Sequence, residues 1–423
     1  AIAATHADGS NALDLRYQSY NILKGKYAIA GLPAVSAADA AAETLEIVLK
    51  DTATDLQVTL RYGVLPELDM LTRCVSIQNL GTTPITLTKA ASFCLDLPYG
   101  KWEWMHFHGR HAMERITERT PLIHGIQESS STRGTSSHHQ NPTAILCTPD
   151  CTETNGSCFG AAFLYSGSFQ TKIEYDQMRQ ARMVMGLHPD LFRWELQPNA
   201  TFDTPEVLFT YSDSGLETLS HRFQKTIREH VCRGKYQKIE RPVLINNWEA
   251  TYFDFNEEKI LKIAEEAARL GVDMLVLDDG WFGKRDDDCS GLGDWFVNEQ
   301  KLKGGLGTLV QKVKALGMRF GIWFEPEMVS EDSDLYRTHP DWAIQIPGRN
   351  PMRSRYQLLL DLSNPDVQDY LYKCISDILN SADISYVKWD MNRSICDMYS
   401  HIYKGEQLGE CYHRYILGVY DLL

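Results

Sequence analysis

The stretch YVKWDMNR, residues 386–393, determines the fold prediction because a short β-prone run ends there in a cluster of polar side chains. In a parallel β/α protein, side chains at the carboxyl end of a strand point into a shared mouth where chemistry takes place. Asp390, at the end of the run, is therefore a candidate nucleophile. A strand that ends in a solvated Asp-Asn turn is the alternative interpretation, and the other strands of the chain discriminate between the two.

Three more short apolar runs in the second half of the chain end in the same kind of residue. Residues 243–245 precede NNWE, residues 274–277 precede DDGW, and residues 319–322 precede WFEPE. Amphipathic helices are predicted between the four strands, at 257–270, 306–316 and 366–379. Four strand ends with one chemistry are hard to explain as solvated turns, so the alternation predicts a (β/α) barrel. Residues 358–361 are predicted to form an accessory strand.

The first half of the chain consists of short β segments separated by turn residues. Alternation such as Leu56, Val58 and Leu60 indicates strands with one buried face, predicted among others at 45–50, 56–62, 71–79 and 85–95. Many antiparallel strands without intervening helices indicate a large sandwich. The predicted organisation is an N-terminal β-sandwich domain at 1–215, a linker helix region at 216–240 and the first half of a (β/α)8 barrel, strands one to four, at 241–423.

Composition excludes several classes of partner. A formal charge of −14 disfavours nucleic acid and anionic membranes, and no apolar run approaches the length of a membrane span. Ten sparse cysteines without a C-x-x-C pair indicate reduced thiols and a cytoplasmic protein. The first residues form no signal peptide and include no initiator Met, so we expect the chain to begin inside a longer reading frame.

Two polar stretches of the first half leave alternatives open. His106 and His108 would share one face of a strand, but no nearby carboxylate completes a metal site, so a polar sheet face is favoured and no metal is predicted. The segment STRGTSSHHQNP, residues 131–142, is either a solvated loop or a polar loop that reaches the site of a neighbouring domain.

The strand ends combine carboxylates, indoles and amides, without a metal cluster or a phosphate loop. This set suits a polyhydroxylated ligand, because carboxylates accept from sugar hydroxyls and aromatic rings pack on the C–H face of a pyranose. Cleavage of a glycosidic bond requires two carboxyl groups, one as acid/base and one as nucleophile in a retaining enzyme. Lys388, two residues before Asp390, is expected to favour the ionised carboxylate and to donate to a hydroxyl.

Four motifs together resemble the α-galactosidases of glycoside hydrolase family 36, in clan D. They are KWDMNR at 388–393, NNWEATYFDF at 246–255, LDDGWFG at 277–283 and GIWFEPEMVS at 321–330. The polar segment 131–142 is similar to a further element of that family, with Thr132 in place of the usual Arg. The resemblance extends over the whole chain.

The resemblance implies a role for each candidate residue. Asp390 would be the nucleophile of a retaining double displacement, and Asp278 and Asp279 would hold galactose hydroxyls. The remaining implied substrate-binding residues are Lys388, Asn392, Trp323, Arg355 and Trp248, the last one near the aglycone. The implied fold is an N-terminal β-supersandwich, a (β/α)8 barrel and a C-terminal β-domain, commonly in a tetramer, with a galactoside substrate and no cofactor.

The chain departs from the family at its ends. The family's acid/base is an aspartate after the sixth barrel strand, whereas this sequence stops at Leu423, after the fourth. We therefore expect a fragment truncated at both ends, without the acid/base, that binds galactose weakly and turns over little. An α-N-acetylgalactosaminidase, a galactosyl-transferring relative and a non-catalytic galactoside-binding fragment remain alternatives.

Overall fold

The computed structural model describes residues 2–36 and 42–423, and these divide into two compact units. The first unit comprises residues 1–238 and 405–420, and the second comprises residues 239–404 and 421–423. The helix Cys411–Leu422 thus lies mainly in the first unit, although it follows the fourth parallel strand in the sequence.

Within the described residues, the first unit contains a ten-stranded and a six-stranded antiparallel sheet. The larger sheet has the spatial order Arg16–Lys24, Glu43–Asp51, Leu56–Leu65, Met70–Asn79, Val207–Ser212, Cys158–Phe163, Gln140–Cys147, Glu103–Arg110 and Met113–Pro121, with Thr201–Asp203 beside Met70–Asn79. The smaller sheet has the order Ile2–Thr5, Ile85–Leu97, Ala181–Leu187, Phe169–Tyr175 and Gly125–Ser130, with Trp194–Leu196 beside Ile85–Leu97. The strands predicted at 45–50, 56–62, 71–79 and 85–95 are all present in these sheets.

Aromatic side chains join the two sheets. The ring of Phe93, in the smaller sheet, lies 5.2 Å from that of Phe209, in the larger one. Leu56 and Val58 are fully buried, as their alternation with polar residues predicts. The first unit therefore has the sandwich architecture that the sequence predicts.

A lysine and a glutamate form an ion pair inside the sandwich. The Lys26 Nζ atom lies 2.5 Å from Glu206 Oε1, and the two side chains are 1% and 0% exposed. The other carboxylate oxygen of Glu206 accepts a hydrogen bond from the Val35 main-chain N–H at 2.7 Å. Because a buried charge needs a partner, this pair ties the irregular segment that contains Lys26 and Val35 to the sheet.

Helices pack on the sandwich in the first unit. The helix Gly215–Thr226 continues as a π-helical turn, Ile227–Val231, so a helix is present in the predicted linker helix region, 216–240. His413, in the helix Cys411–Leu422, is buried among aromatic rings, and its Nδ1 lies 2.8 Å from the Tyr165 hydroxyl. Burial lowers the pKa of His413 to about 3, so the imidazole is held neutral.

The second unit is built on a parallel sheet of four strands within the described residues. In spatial and chain order, its first to fourth strands are Leu244–Asn246, Met274–Leu277, Arg319–Phe324 and Tyr386–Trp389. The helices of this unit are Trp248–Thr251, Glu257–Arg269, Gly305–Ala315, Asp334–Thr338 and Pro365–Ser381. Short 3₁₀ turns occur in the two units at Pro66–Leu68, Pro189–Leu191, Lys235–Gln237, Pro340–Trp342 and Gly405–Glu410. All four predicted parallel strands and the three predicted helices between them are confirmed.

Local signals explain the boundaries of these elements. The Asn256 side chain accepts from the Lys259 main-chain N–H at 3.0 Å and so caps the helix that begins at Glu257. The accessory strand, Leu358–Leu359, pairs antiparallel with Met328–Val329 outside the parallel sheet.

A glycine permits the close approach of the third and fourth strands. Gly321 lies opposite Tyr386 in the parallel register, and a Cβ atom at position 321 would lie 2.9 Å from the Tyr386 ring. Real Cβ atoms do not come this close to another heavy atom, so the tyrosine ring occupies the space that a side chain at position 321 would need.

Candidate active site

Parallel pairing brings the ends of the four strands to one edge of the sheet. The register pairs Asn246 with Val276, Leu277 with Ile322, and Phe324 with Trp389. Residues that follow the strands directly, Asp278 and Asp390 among them, therefore share this edge. The predicted location of the site at the carboxyl ends agrees with the arrangement of its side chains.

Asp278 is the acceptor at the centre of one cluster. Its Oδ2 accepts from Lys388 Nζ at 2.8 Å and from the Asn246 side-chain amide. Its main-chain N–H donates to Asn247 Oδ1 at 2.8 Å. The Asp278 side chain is 3% exposed and that of Lys388 is 36% exposed. Lys388 thus pairs with Asp278, and not with Asp390 as its position on the strand suggested.

Asp390 lies in a second cluster and is held at both carboxylate oxygens. Its Oδ2 accepts from Trp323 Nε1 at 3.1 Å and from Asn392 Nδ2 at 2.9 Å. Its Oδ1 accepts from the Met391 main-chain N–H at 3.1 Å, and its own N–H donates to the Phe324 carbonyl at 2.8 Å. These donors fix the direction of the carboxylate. The structure thus brings Asp390, Trp323 and Asn392 together.

Asp279 is turned away from both clusters. Arg285 binds its carboxylate through Nε at 3.0 Å and through an Nη atom at 2.9 Å, and both side chains are buried. Burial raises the pKa of Asp279, and the guanidinium opposes that shift. That Asp279 binds a sugar hydroxyl stays a prediction, and the structure adds that Arg285 holds its carboxylate.

Arg355 and Trp248 lie at the margins of the two clusters. Arg355 Nη2 is 3.8 Å from Asp288 Oδ1, and 43% of the arginine side chain is exposed. The Trp248 indole packs edge-on against the rings of Tyr252 and Phe253, at 5.3 and 5.1 Å. Neither side chain makes a hydrogen bond to Asp278 or Asp390 among the contacts of the described residues.

Comparison with known proteins identifies the family. The melibiase profile matches residues 201–423, and the glycosyl hydrolase family 36 N-terminal domain profile matches residues 1–197. The chain belongs to glycosyl hydrolase family 36. The melibiase domain is a TIM barrel, so the predicted fold class of a β-sandwich followed by a partial (β/α)8 barrel is confirmed.

Relatives of this family 36 chain are named as α-galactosidases. The bifunctional alpha-galactosidase/sucrose kinase AgaSK of Mediterraneibacter gnavus is 52% identical over 100% of this chain and 44% of its own length. Alpha-galactosidase AgaA of Geobacillus stearothermophilus is 48% identical over 98% of this chain and 57% of its own length. The chain therefore spans about half the length of the curated relatives it matches.

A crystal structure of AgaA has the same fold. It matches this family 36 chain with a TM-score of 0.98 at 47% identity, over 100% of this chain and 59% of its own. Variants of AgaA have been crystallised in complex with raffinose and in complex with stachyose. AgaA variants therefore bind these two oligosaccharides.

Sequence reasoning missed one carboxylate of the family 36 site. Glu325 follows the third strand, is 1% exposed, and accepts from both nitrogens of Asn392 and from Gln357. Burial is the main cause that raises its pKa, and the negative charge of Asp390 adds to the shift. Its place two residues after Trp323 was the available signal, because alternate residues of an extended segment share a face.

The histidine pair of the first half lies beside a carboxylate. His106 and His108 both face Glu118 on the neighbouring strand, at 3.7 and 3.6 Å, a carboxylate that the sequence prediction did not find. In residues 2–36 and 42–423, no group of three or more His, Cys, Asp or Glu side chains is placed to hold a metal ion. Of the helices described, none is long and apolar enough to cross a membrane.

The polar segment 131–142 is tied to the adjacent turn of the sandwich. The Gly134 N–H donates to Ser168 Oγ at 2.9 Å, and the Ser136 N–H donates to the Ser166 carbonyl at 2.8 Å. These bonds give the segment a fixed course within the first unit, and both interpretations of it stay predictions.

Proposed function

We propose that the protein is a retaining exo-α-galactosidase that removes terminal α-linked galactose from oligosaccharides such as melibiose and raffinose. The observation that carries the proposal is the Asp390 carboxylate, held by Trp323 and Asn392 beside an Asp278–Lys388 pair. The α-galactosidase names of AgaSK and AgaA, and the AgaA complexes with raffinose and stachyose, support the substrate class.

In this mechanism Asp390 is the nucleophile. One of its oxygens attacks the anomeric carbon as the bond to the aglycone oxygen breaks, and the aglycone leaves with a proton from a general acid. The covalent galactosyl ester then reacts with water, which restores Asp390 and releases galactose. Hydrogen bonds from Trp323 and Asn392 hold the carboxylate in one orientation, so it needs little rearrangement before attack. No carboxyl group of this chain is assigned as the acid/base.

The other candidate residues bind the sugar. Asp278 accepts from a galactose hydroxyl, and the half-exposed ammonium of Lys388 donates to one. Arg355 and Trp248 complete the pocket towards the ring and the aglycone. Asp279 accepts from a second hydroxyl through a carboxylate that Arg285 holds, and its N–H donates to Asp278 Oδ1 at 2.9 Å.

The proposal also covers the compartment, the assembly and the domain boundaries of the protein. The protein acts in the cytoplasm as a homo-oligomer, and its regions divide near residues 215 and 240. An α-N-acetylgalactosaminidase, a galactosyl-transferring relative and a galactoside-binding protein without turnover are the competing outcomes of the test.

The test is hydrolysis of p-nitrophenyl α-galactoside by the full-length protein. We expect Asp390→Ala to reduce kcat by roughly 10⁴-fold or more, because no carboxylate remains to form the glycosyl ester. Added azide should restore turnover and yield β-galactosyl azide. Wild-type turnover that survives Asp390→Ala would refute the nucleophile, and saturable galactose binding without any turnover would indicate a binding protein. Faster hydrolysis of the N-acetylgalactosaminide would favour the first competing outcome.

A further inference from the structure

Glu325 lies where three segments of the second unit meet. It follows the third strand, contacts Asn392 beyond the fourth strand, and contacts Gln357 at the end of a tight turn. Its carboxylate is almost fully buried. A buried carboxylate needs several donors, and here each donor comes from a segment that carries a proposed substrate-binding residue.

One oxygen of Glu325 fixes the orientation of Asn392. Glu325 Oε1 accepts from the Asn392 main-chain N–H at 3.1 Å and from its side-chain nitrogen at 3.0 Å. The same Nδ2 atom donates its second hydrogen to Asp390 Oδ2 at 2.9 Å. A flipped amide would place its carbonyl oxygen against two carboxylates, so the contact with Glu325 dictates that Asn392 donates to Asp390.

The same oxygen anchors the turn that carries Arg355. Gln357 Nε2 donates to Glu325 Oε1 at 3.0 Å, and Gln357 exchanges main-chain hydrogen bonds with Ser354. The two residues between them, Arg355 and Tyr356, have φ of 52° and 61°. This left-handed backbone defines a type I′ turn that usually contains Asn or Gly, so the turn is strained and requires outside support.

Arg393 supports the turn from the other side. Its guanidinium is buried and donates to the Gln357 carbonyl at 2.7 Å and to the Met352 carbonyl at 3.1 Å. Because Arg393 directly follows Asn392, the segment that orients the nucleophile also clamps the turn. Glu325 and Arg393 thus each contact Gln357, the residue that closes the Arg355 turn. Glu325 also contacts Asn392, which donates to the nucleophile.

We propose that Glu325 is a positioning residue that couples the orientation of the nucleophile Asp390 to the placement of the sugar-binding residue Arg355. This inference rests on the proposed function, because it assumes that Asp390 attacks and that Arg355 contacts the sugar. The charged neighbours that act on Glu325 are these same two residues. Glu325 touches neither the substrate nor the reacting atoms, and acts through Asn392 and Gln357.

Glu325 contacts Asn392 and Gln357 separately, and the loss of each contact predicts a different kinetic effect in the full-length protein. Glu325→Ala frees Asn392 and the turn, so we expect kcat for p-nitrophenyl α-galactoside to fall roughly 100-fold and KM to rise. Glu325→Gln keeps an acceptor oxygen, and we expect its kcat to recover to within about ten-fold of the wild type. Gln357→Ala releases only the turn, so KM should rise about ten-fold while kcat changes little.

A second buried carboxylate of the same unit provides the matched control. Asp294 accepts from the main-chain N–H groups of Asp334 and Leu335, at 2.9 and 3.0 Å, and burial raises its pKa also. Asp294→Asn should lower the Tm and leave kcat and KM unchanged. If Asp294→Asn impairs kcat as much as Glu325→Ala does, the effect is one of general stability and the inference is wrong.

The remaining outcomes separate this inference from the proposed function. If turnover depends on Asp390 but Glu325→Ala keeps the wild-type kcat, only the coupling by Glu325 is refuted. If Glu325→Ala does not fold, the comparison of Glu325→Gln with Gln357→Ala still decides, because equal effects on kcat and KM in both would contradict two separate connections. Turnover that is absent in the wild type, or independent of Asp390, refutes the proposed function itself.

Discussion

Each unit of the protein contains a lysine bound to a carboxylate, and the two pairs differ in how far water reaches them. In the sandwich, the side chains of Lys26 and Glu206 are 1% and 0% exposed. At the strand ends of the second unit, Lys388 is 36% exposed, whereas its partner Asp278 is 3% exposed. The N–O distances, 2.5 and 2.8 Å, are those of direct ion pairs in both places.

The two pairs therefore predict different responses to substitution, one in stability and one in substrate binding. A fully enclosed pair has no contact to offer a ligand, and removal of either partner leaves an uncompensated charge. In the half-open pair, the ammonium keeps donors that face the mouth while Asp278 stays fixed by Asn246.

The largest effect is expected at the half-open pair. Asp278→Ala removes the acceptor for a sugar hydroxyl and releases Lys388, so kcat/KM for p-nitrophenyl α-galactoside should fall about 10⁴-fold, or about 5.5 kcal/mol. The measurement is steady-state kinetics of the full-length protein, with circular dichroism to verify the fold. A folded variant with nearly normal kcat/KM would show that this pair is as structural as the enclosed one.

The enclosed pair should respond in stability and not in activity. Glu206→Gln leaves the Lys26 ammonium buried without a counter-charge, so the free energy of unfolding should fall by about 3–5 kcal/mol. Urea unfolding measures this loss, and the double variant Lys26→Met with Glu206→Gln should recover part of it. A change in the KM of the folded single variant, without loss of stability, would contradict the structural assignment.

The smallest effect is expected from protonation of His413 in the first unit. The pKa of His413 is lowered to about 3 by burial, so the unfolded chain binds a proton near pH 6.5 and the folded chain does not. Stability is therefore lost as the pH falls below 6.5, by roughly 2–3 kcal/mol at pH 4.5. His413→Gln should reduce the difference between urea midpoints at pH 7 and pH 4.5. The exposed His124 is the control position, and equal reductions in both variants would rule out burial as the cause.

The sequence allowed prediction of the features that depend on local pattern. The four parallel strands and their helices follow from the apolar periodicity, and the helix cap at Asn256 follows from its own side chain. Asp390 and Asp278 were found because each directly follows a strand. Their location at one sheet edge then follows from parallel pairing alone.

Features that depend on contacts distant in sequence could not be predicted in this way. Asp279 directly follows Asp278 in the sequence, but successive side chains of an extended chain point in opposite directions, and the Asp279 carboxylate meets Arg285. The role of Glu325 depends on Gln357, 32 positions later in a turn with left-handed backbone. Glu118 reaches His106 only because two strands pair across a hairpin.

Gly321 has a consequence for how this sequence can drift over evolutionary time. The ring of Tyr386 fills the space beside it, and Tyr386 begins the strand that leads to Asp390. A larger residue at position 321 would require the Tyr386 ring and the Val276 side chain to shift, since its Cβ atom would lie 2.9 and 3.1 Å from them. Substitutions at positions 276, 321 and 386 are therefore expected to depend on one another, and the order in which they occur decides which of them the fold tolerates.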